Sequence, residues 1–285
     1  MEIVHLSKEN LYEYEDFLGA DIAENIGREF YRGMVACEGG EPEAGLIWEL
    51  TGLYDDMSQT QSRIEWYHAE DAESLEFLLD TYTYTISKDG VEKSFFEFEE
   101  PPTPEEREVF TGAGFELSGT ESRRMELRLS DLKALKLAKK LKTPPFIKSI
   151  NGLVKKTFAR GMTDCIYNTD RELQQDLIDL PMEWYDGDVS CYEDTDTQCG
   201  GFLLVHGCPS GKLRIELLSD WGPDPRINLL RMIRFSLKQA CDKYPDDTRV
   251  EIIRRDNALV NLMSYLFPDM PGRSAVRGVR EEEGE

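Results

Sequence analysis

The sequence predicts a mixed α/β (α+β) chain made of two similar domains joined by a basic segment, and three observations carry that reading. Residues 213–269 are ordered as strand, loop, long helix, strand and short helix. The same order occurs once earlier. Arg63-Ile64-Glu65 there matches Arg214-Ile215-Glu216 at the start of a strand, and Leu78-Leu79 matches Leu229-Leu230 in the helix that follows. Between the copies, residues 131–160 carry eight lysines, one arginine and almost no acidic residue. A repeat of this length means two domains, because the period of a solenoid is far shorter. The expected partition is a first domain at 1–131, a basic connector at 132–160 and a second domain at 161–285.

In the first copy, Ile3-Val4-His5-Leu6 reads as a short strand. Ser7 caps a helical stretch with Leu11, Tyr14, Phe17 and Leu18 on one face. Residues 29–37 and 44–50 are strands of a hairpin closed at Glu38-Gly39-Gly40-Glu41-Pro42. Residues 61–68 form the next strand, and 72–87 form a helix with Leu75, Leu78, Leu79, Tyr82 and Ile86 inward. Strand 94–98 and helix 104–111 follow. A hairpin-like pair, 115–117 and 124–129, closes the copy, so that every strand pairs within its own domain. The connector begins as a helix with Leu132, Leu135, Leu137 and Leu141, broken at Thr143-Pro144-Pro145. It reads as a basic strap across acidic domains of its own chain, or as a strip for an anionic partner.

In the second copy, 171–180 reads as a helix, and 190–193 and 201–206 as strands, the latter turned by Pro209-Ser210-Gly211 into the strand at 213. Ser219-Asp220-Trp221-Gly222-Pro223-Asp224-Pro225 is turn chemistry. The long helix has Leu230, Ile233, Leu237, Cys241 and Tyr244 on one face and Arg231, Arg234 and Lys238 on another. It ends at Pro245, which cannot continue the ladder. Residues 249–253 form a strand and 258–267 a short helix; beyond Pro268 there is little strand pattern, and 281–285 is an acidic tail.

Composition excludes several classes. A formal net charge of −23 opposes an electrostatic nucleic-acid footprint. No apolar run is long enough to cross a bilayer, and Met1-Glu2-Ile3-Val4-His5 is not a secretory leader, so the expected location is the cytoplasm, with no membrane partner. Cys37, Cys165, Cys191, Cys199, Cys208 and Cys241 form no Cys-x-x-Cys pair and read as reduced thiols. Cys191, Cys199, Cys208 and His206 lie close in sequence, but their spacing is not that of a zinc knuckle, so no metal is expected.

The order strand, phosphate-facing loop, long helix, strand, short helix resembles the acyl-CoA-binding half of the GNAT N-acetyltransferase superfamily. The chain is therefore similar to two GNAT domains in tandem. The resemblance implies, for each domain, a mixed and mostly antiparallel sheet flanked by helices. It also implies an acyl-CoA-dependent N-acyltransferase, using acetyl-CoA or another acyl-CoA and a small-molecule or peptide amine. The alternative is an inactive protein on the same fold that binds another ligand or a protein partner. In the family a loop of the form Gln/Arg-x-x-Gly-x-Gly/Ala cradles the coenzyme pyrophosphate on bare N–H groups at a helix N-terminus. Here the loop reads Trp221-Gly222-Pro223-Asp224-Pro225-Arg226, with two donors removed by proline and phosphate repelled by Asp224 and by Asp220 just ahead of it. The first copy has His68-Ala69-Glu70-Asp71-Ala72-Glu73, which holds no glycine.

The resemblance places the coenzyme against Leu218, Trp221, Gly222, Arg226 and Asn257. It makes Tyr265 the candidate acid for the leaving thiolate and Glu216 a candidate base. In the first copy the position of the acid, four residues before Gly114, holds Phe110, which has no proton to give. His5, His68 and His206 are further possible bases, of which His68 ends a strand beside the first loop.

Overall fold

A computed structural model describes residues 1–51, 60–135, 143–168, 177, 180–195, 198–254, 257–268 and 272–281. Contacts divide the chain into two compact units. Unit 1 comprises Met1–Ser122 and Gly272–Glu285, and unit 2 comprises Arg123–Pro271.

Unit 1 is a sheet of strands β1 (Glu2–His5), β2 (Tyr31–Glu38), β3 (Glu41–Thr51), β4 (Gln61–Ala69), β5 (Lys93–Phe98), β6 (Glu116–Glu121) and, from the far end of the chain, β13 (Ser274–Glu281). Their order is β1-β2-β3-β4-β5-β13-β6, antiparallel except for β4 with β5. Helix α1 (Ala72–Lys88) starts where Asp71 accepts from the Ser74 amide at 2.8 Å in a capping box. Its buried Leu75, Leu78, Leu79, Tyr82 and Ile86 are the five residues the periodicity selects. Helix α2 (Pro104–Gly112) has Pro104 in its first turn and a second capping box from Thr103. Both helices close a core that includes Trp48, Phe96, Phe110 and Phe115. Leu11, Tyr14, Phe17 and Leu18 share a smaller cluster with Ile47 and Trp66.

Unit 2 is a sheet of β7 (Arg124–Arg128), β8 (Ile147–Ser149), β9 (Cys191–Asp194), β10 (Cys199–Gly207), β11 (Leu213–Asp220) and β12 (Arg249–Ile253), in the order β7-β12-β11-β10-β9-β8. Helices α3 (Leu129–Ala134), α5 (Pro225–Lys243) and α6 (Asn257–Leu266) pack with one apolar cluster, built on Leu203, Leu213, Met232 and Ile252. Helix α4 (Lys155–Asn168) packs Phe158, Met162 and Cys165 with Phe202 and Leu204 in another.

Three expectations are corrected here. The segments at 115–117 and 124–129 do not form a hairpin: β6 pairs with β13, and β7 pairs with β12. Residues after Pro268 do form a strand, inserted between β5 and β6 with Val276 opposite Phe98 and Gly119. Strands therefore do not all pair within their own copy; the chain exchanges one strand in each direction, and a boundary at 131 would separate each unit from a strand it uses. The described part of the connector is also built into unit 2, as β8 and the start of α4. Its lysines meet unit 2's own acids: Lys133 with Asp246 at 3.1 Å, Lys148 with Asp194, and Lys155 with Glu183. The helical stretch expected at 136–141, most of that at 171–180, and the tail at 282–285 lie outside the described residues.

Candidate active site

Both units carry one parallel strand pair that parts company. In unit 2, β11 and β12 pair only from Leu213 with Val250 to Ile215 with Ile252, after which β11 runs on to Asp220 paired with β10. In unit 1, β4 and β5 pair only as far as Ile64 with Phe96, although β4 continues to Ala69. Each parted pair leads into the loop before a long helix.

In unit 2 that loop is occupied by the chain itself. The Gly222 amide donates to Asp220 Oδ1 at 3.0 Å. The carboxyl of Glu193, on β9 and only 4% exposed, lies against the bare backbones of Gly200 and Gly222, where a Cβ at either position would overlap it. Asn228, in the first turns of α5, donates to Glu193 Oε1 at 2.6 Å and accepts from Arg231 at 2.9 Å. The remaining oxygens, Glu193 Oε2 and Asp220 Oδ2, are buried with no hydrogen-bond donor, and the two carboxyls are close enough for the charge of Glu193 to act on Asp220. Two carboxyl groups placed together away from water favour the protonated form of one of them. Burial and then the Glu193 charge push Asp220 up to about 7, with Asp224 adding to the rise; burial also raises Glu193.

This pair makes stability depend on pH. The native chain holds a proton that the unfolded chain releases near pH 4, so the pair costs stability as pH rises from about 4 to 7, and the loss is complete above 7. Allowing for the half-exposed position of Asp220, the cost at pH 8 is about 2 kcal/mol. Asp220→Asn keeps an acceptor for the Gly222 amide without the titration. It should match the wild type in urea unfolding at pH 4 and exceed it by that amount at pH 8; an equal difference at both values would show that no proton is shared.

In unit 1 the corresponding seat is closed differently. Asp71 takes the Ser74 amide at the helix start, and those bonds hold its carboxyl below the ordinary range. The parted strands are bridged by aromatic rings: Tyr67 of β4 meets Phe98 of β5 at 5.0 Å and Phe110 of α2 at 5.2 Å. Among the described residues of unit 2 there is no such plug. Between its sheet, α5, α6 and α3 lies a cavity of about 50 Å³ with an almost wholly apolar wall. An empty volume of that size costs about 1 kcal/mol of stability.

No protein-family model matches the chain, and no curated protein matches it by sequence. Solved structures do. A tandem GNAT protein from the clavulanic acid biosynthesis pathway, solved without acetyl-CoA, is similar over 100% of this chain and 99% of its own, with a TM-score of 0.61 at 12% identity. This chain has a tandem GNAT-like fold. A GCN5-related N-acetyltransferase from Sphaerobacter thermophilus is similar over 99% of this chain and 97% of its own (TM-score 0.52, 12% identity). One from Kribbella flavida is similar over 84% and 87% (TM-score 0.52, 10% identity). Likeness at these identities describes the scaffold, and activity resides in the site.

The residues expected at the site differ in their surroundings. Tyr265 stands on α6 with 78% of its surface exposed, while its neighbours Met263, Leu266 and Phe267 line the cavity. Glu216 is 3% exposed and bonded to Arg214 at 3.4 Å; Arg214 in turn holds Glu251 at 3.2 Å. The matching Arg63 in unit 1 pairs with Glu65 and, at 2.6 Å, with Glu49, so the repeated Arg-Ile-Glu forms the same ion pair twice. Leu218 lines the cavity, Trp221 packs on Phe202 at 5.9 Å, and Arg226 is exposed in the first turn of α5. Asn257 opens α6, and its side chain lies outside the described residues. An acyl-CoA pyrophosphate would meet carboxylates in both loops: Asp71 takes the Ser74 amide, Asp220 takes the Gly222 amide, and the Glu193 carboxyl lies beneath Gly222.

His206 stacks on Trp184 at 4.2 Å and donates Nδ1–H to its carbonyl. His68 stacks with Trp66 and meets Glu70 at 3.4 Å, and the His5 carbonyl accepts from Asn10 at 2.9 Å. Cys191 and Cys199 belong to different apolar clusters, so they do not converge on one metal position. Sequence reasoning missed Glu193. Its signal was weak: one of two adjacent acids at the end of a short strand, Cys191-Tyr192-Glu193-Asp194, with Asp196 close behind.

Proposed function

We propose that this protein is a binding protein on a tandem GNAT-like fold, in which the chain's own carboxylates have taken the coenzyme seats. One observation carries the reading: the Gly222 amide, the glycine donor of the second copy's eroded fingerprint, bonds Asp220 above the buried Glu193 carboxyl. A pyrophosphate there would meet two acids and lose the charge-assisted bonds, each contributing roughly 1.5–3 kcal/mol, on which such sites depend.

Calorimetric titration of the intact protein with acetyl-CoA should give an affinity weaker than about 0.1 mM, equivalent to about 5 kcal/mol. Thiol release with a panel of small and peptide amines should stay at the uncatalysed rate. The competing reading is an acyl-CoA-dependent N-acyltransferase of unit 2, favoured by the exposed Arg226 at the helix start. In it, Leu218, Trp221, Gly222, Arg226 and Asn257 surround the coenzyme, Tyr265 is the acid and Glu216 the base. Micromolar binding lost in Arg226→Ala, with turnover lost in Tyr265→Phe, would establish that reading and overturn ours.

A further inference from the structure

Charge is divided unevenly between the two units. Unit 1 holds 34 acidic side chains against 10 basic ones, a formal net charge of −24, whereas unit 2 holds 22 against 23, a net charge of +1. Unit 1 therefore repels another copy of itself and draws in a basic partner. The same unit has an open sheet edge. Strand β6 ends the sheet order and pairs along its six residues with β13 alone. The Ser122 amide donates to the Arg273 carbonyl at 2.7 Å, which fixes the alternation of this antiparallel ladder. Ser118 and Thr120 turn their N–H and C=O groups to β13. Leu117 and Gly119 turn theirs outward, where no group among the described residues bonds them. A Cβ at Gly119 would meet nothing within 4 Å.

Sheet edges are ordinarily guarded by brevity, a lysine, a proline or a bulge. Strand β1 has four residues, and its His5 carbonyl takes the Asn10 amide. Strand β8 has three, with Lys148 among them, and the Arg128 amide of β7 is taken by Asp131. Strand β6 runs for six residues in regular register, Glu116-Leu117-Ser118-Gly119-Thr120-Glu121, with no lysine or proline. Its only charges are the exposed Glu116 and Glu121 at its two ends. A second β6 laid antiparallel against it would set these glutamates opposite each other, so the edge does not suit another copy of the chain.

We propose that β6 receives an extended segment of a basic partner protein as an added strand, with lysine or arginine at the ends of that segment meeting Glu116 and Glu121. Bonds to the outward N–H and C=O groups of Leu117 and Gly119 supply the pairing, and the charges select the partner. The inference concerns unit 1 and goes beyond the reading of the coenzyme seats, which it does not require.

The test titrates the intact protein with the labelled peptide Lys-Val-Thr-Val-Thr-Lys, blocked at both ends, and follows fluorescence anisotropy and amide exchange. We expect saturable binding that weakens as salt is raised, and that falls at least tenfold when both lysines of the peptide are replaced by glutamate. In the complex the Leu117 and Gly119 amides should gain protection, while those of Ser118 and Thr120, already bonded to β13, should not change. Gly119→Pro removes an outward donor and leaves the bonds to β13 in place, so it should weaken binding at least tenfold. Glu116→Lys should weaken the lysine peptide and favour the glutamate one. No saturable binding would overturn the inference, as would equal affinity for the two peptides, or affinity unchanged in whichever variant keeps its circular dichroism. Concentration-dependent dimers abolished by Gly119→Pro would give the edge to a second copy and overturn it as well. Peptide binding of the expected kind together with tight acetyl-CoA binding would support this inference and sink the proposed function alone.

Discussion

A chain ending at Pro271 will lose the folded state of unit 1. Strand β13 lies inside that sheet, with six partners on β5 and six on β6, so its removal detaches β6 and opens two new edges. It also removes buried Ala275 and Val276, the latter part of the core with Phe96 and Phe115. A domain is stable by only about 5–15 kcal/mol, and a missing interior strand exceeds that margin. Amide exchange should show protection lost across β2 to β6, and a peptide of residues 272–285 added in trans should restore it. Gly278→Val in the full chain should act in the same direction, because a Cβ there would lie within the Phe96 ring. Cutting between Leu129 and Lys142 should likewise leave neither fragment complete, the first lacking β13 and the second lacking β7, while co-expression restores both. Unchanged protection in the chain ending at Pro271 would mean that β13 is not part of this sheet.

The second large effect is expected at Phe110. Its ring is fully buried and meets Phe96 at 4.7 Å, Phe115 at 5.8 Å and Tyr67 at 5.2 Å. Phe110→Ala leaves a cavity among rings that cannot collapse into it, and should cost about 3–5 kcal/mol in urea unfolding. Phe110→Tyr puts the acid's hydroxyl back at the position where a GNAT catalyst would have it. Here that hydroxyl enters an aromatic cluster, and should cost about 1–3 kcal/mol with no gain in acyl transfer. A tyrosine variant as stable as the wild type would show that the crevice of unit 1 is open enough to hydrate the group.

Local chemistry made much of this fold legible. The five inward residues of α1, the stop of α5 before Pro245, and the hairpin from β2 into β3 follow from period, capping and turn residues within a few positions of one another. The repeat was also legible, because Arg63-Ile64-Glu65 and Arg214-Ile215-Glu216 build the same ion pair in the same strand. What the tertiary structure decided is non-local. Ser274-Ala275-Val276-Arg277-Gly278-Val279-Arg280 has too few apolar residues to announce a strand; it becomes one because β5 and β6 offer open hydrogen-bonding edges on both sides. The exchange of β7 for β13 is a choice between equivalent edges, to which periodicity is blind. The acids at the loop follow the same rule. Asp220 and Glu193 look like two surface carboxylates until burial removes their water, and only then does sharing one proton become cheaper than carrying two charges.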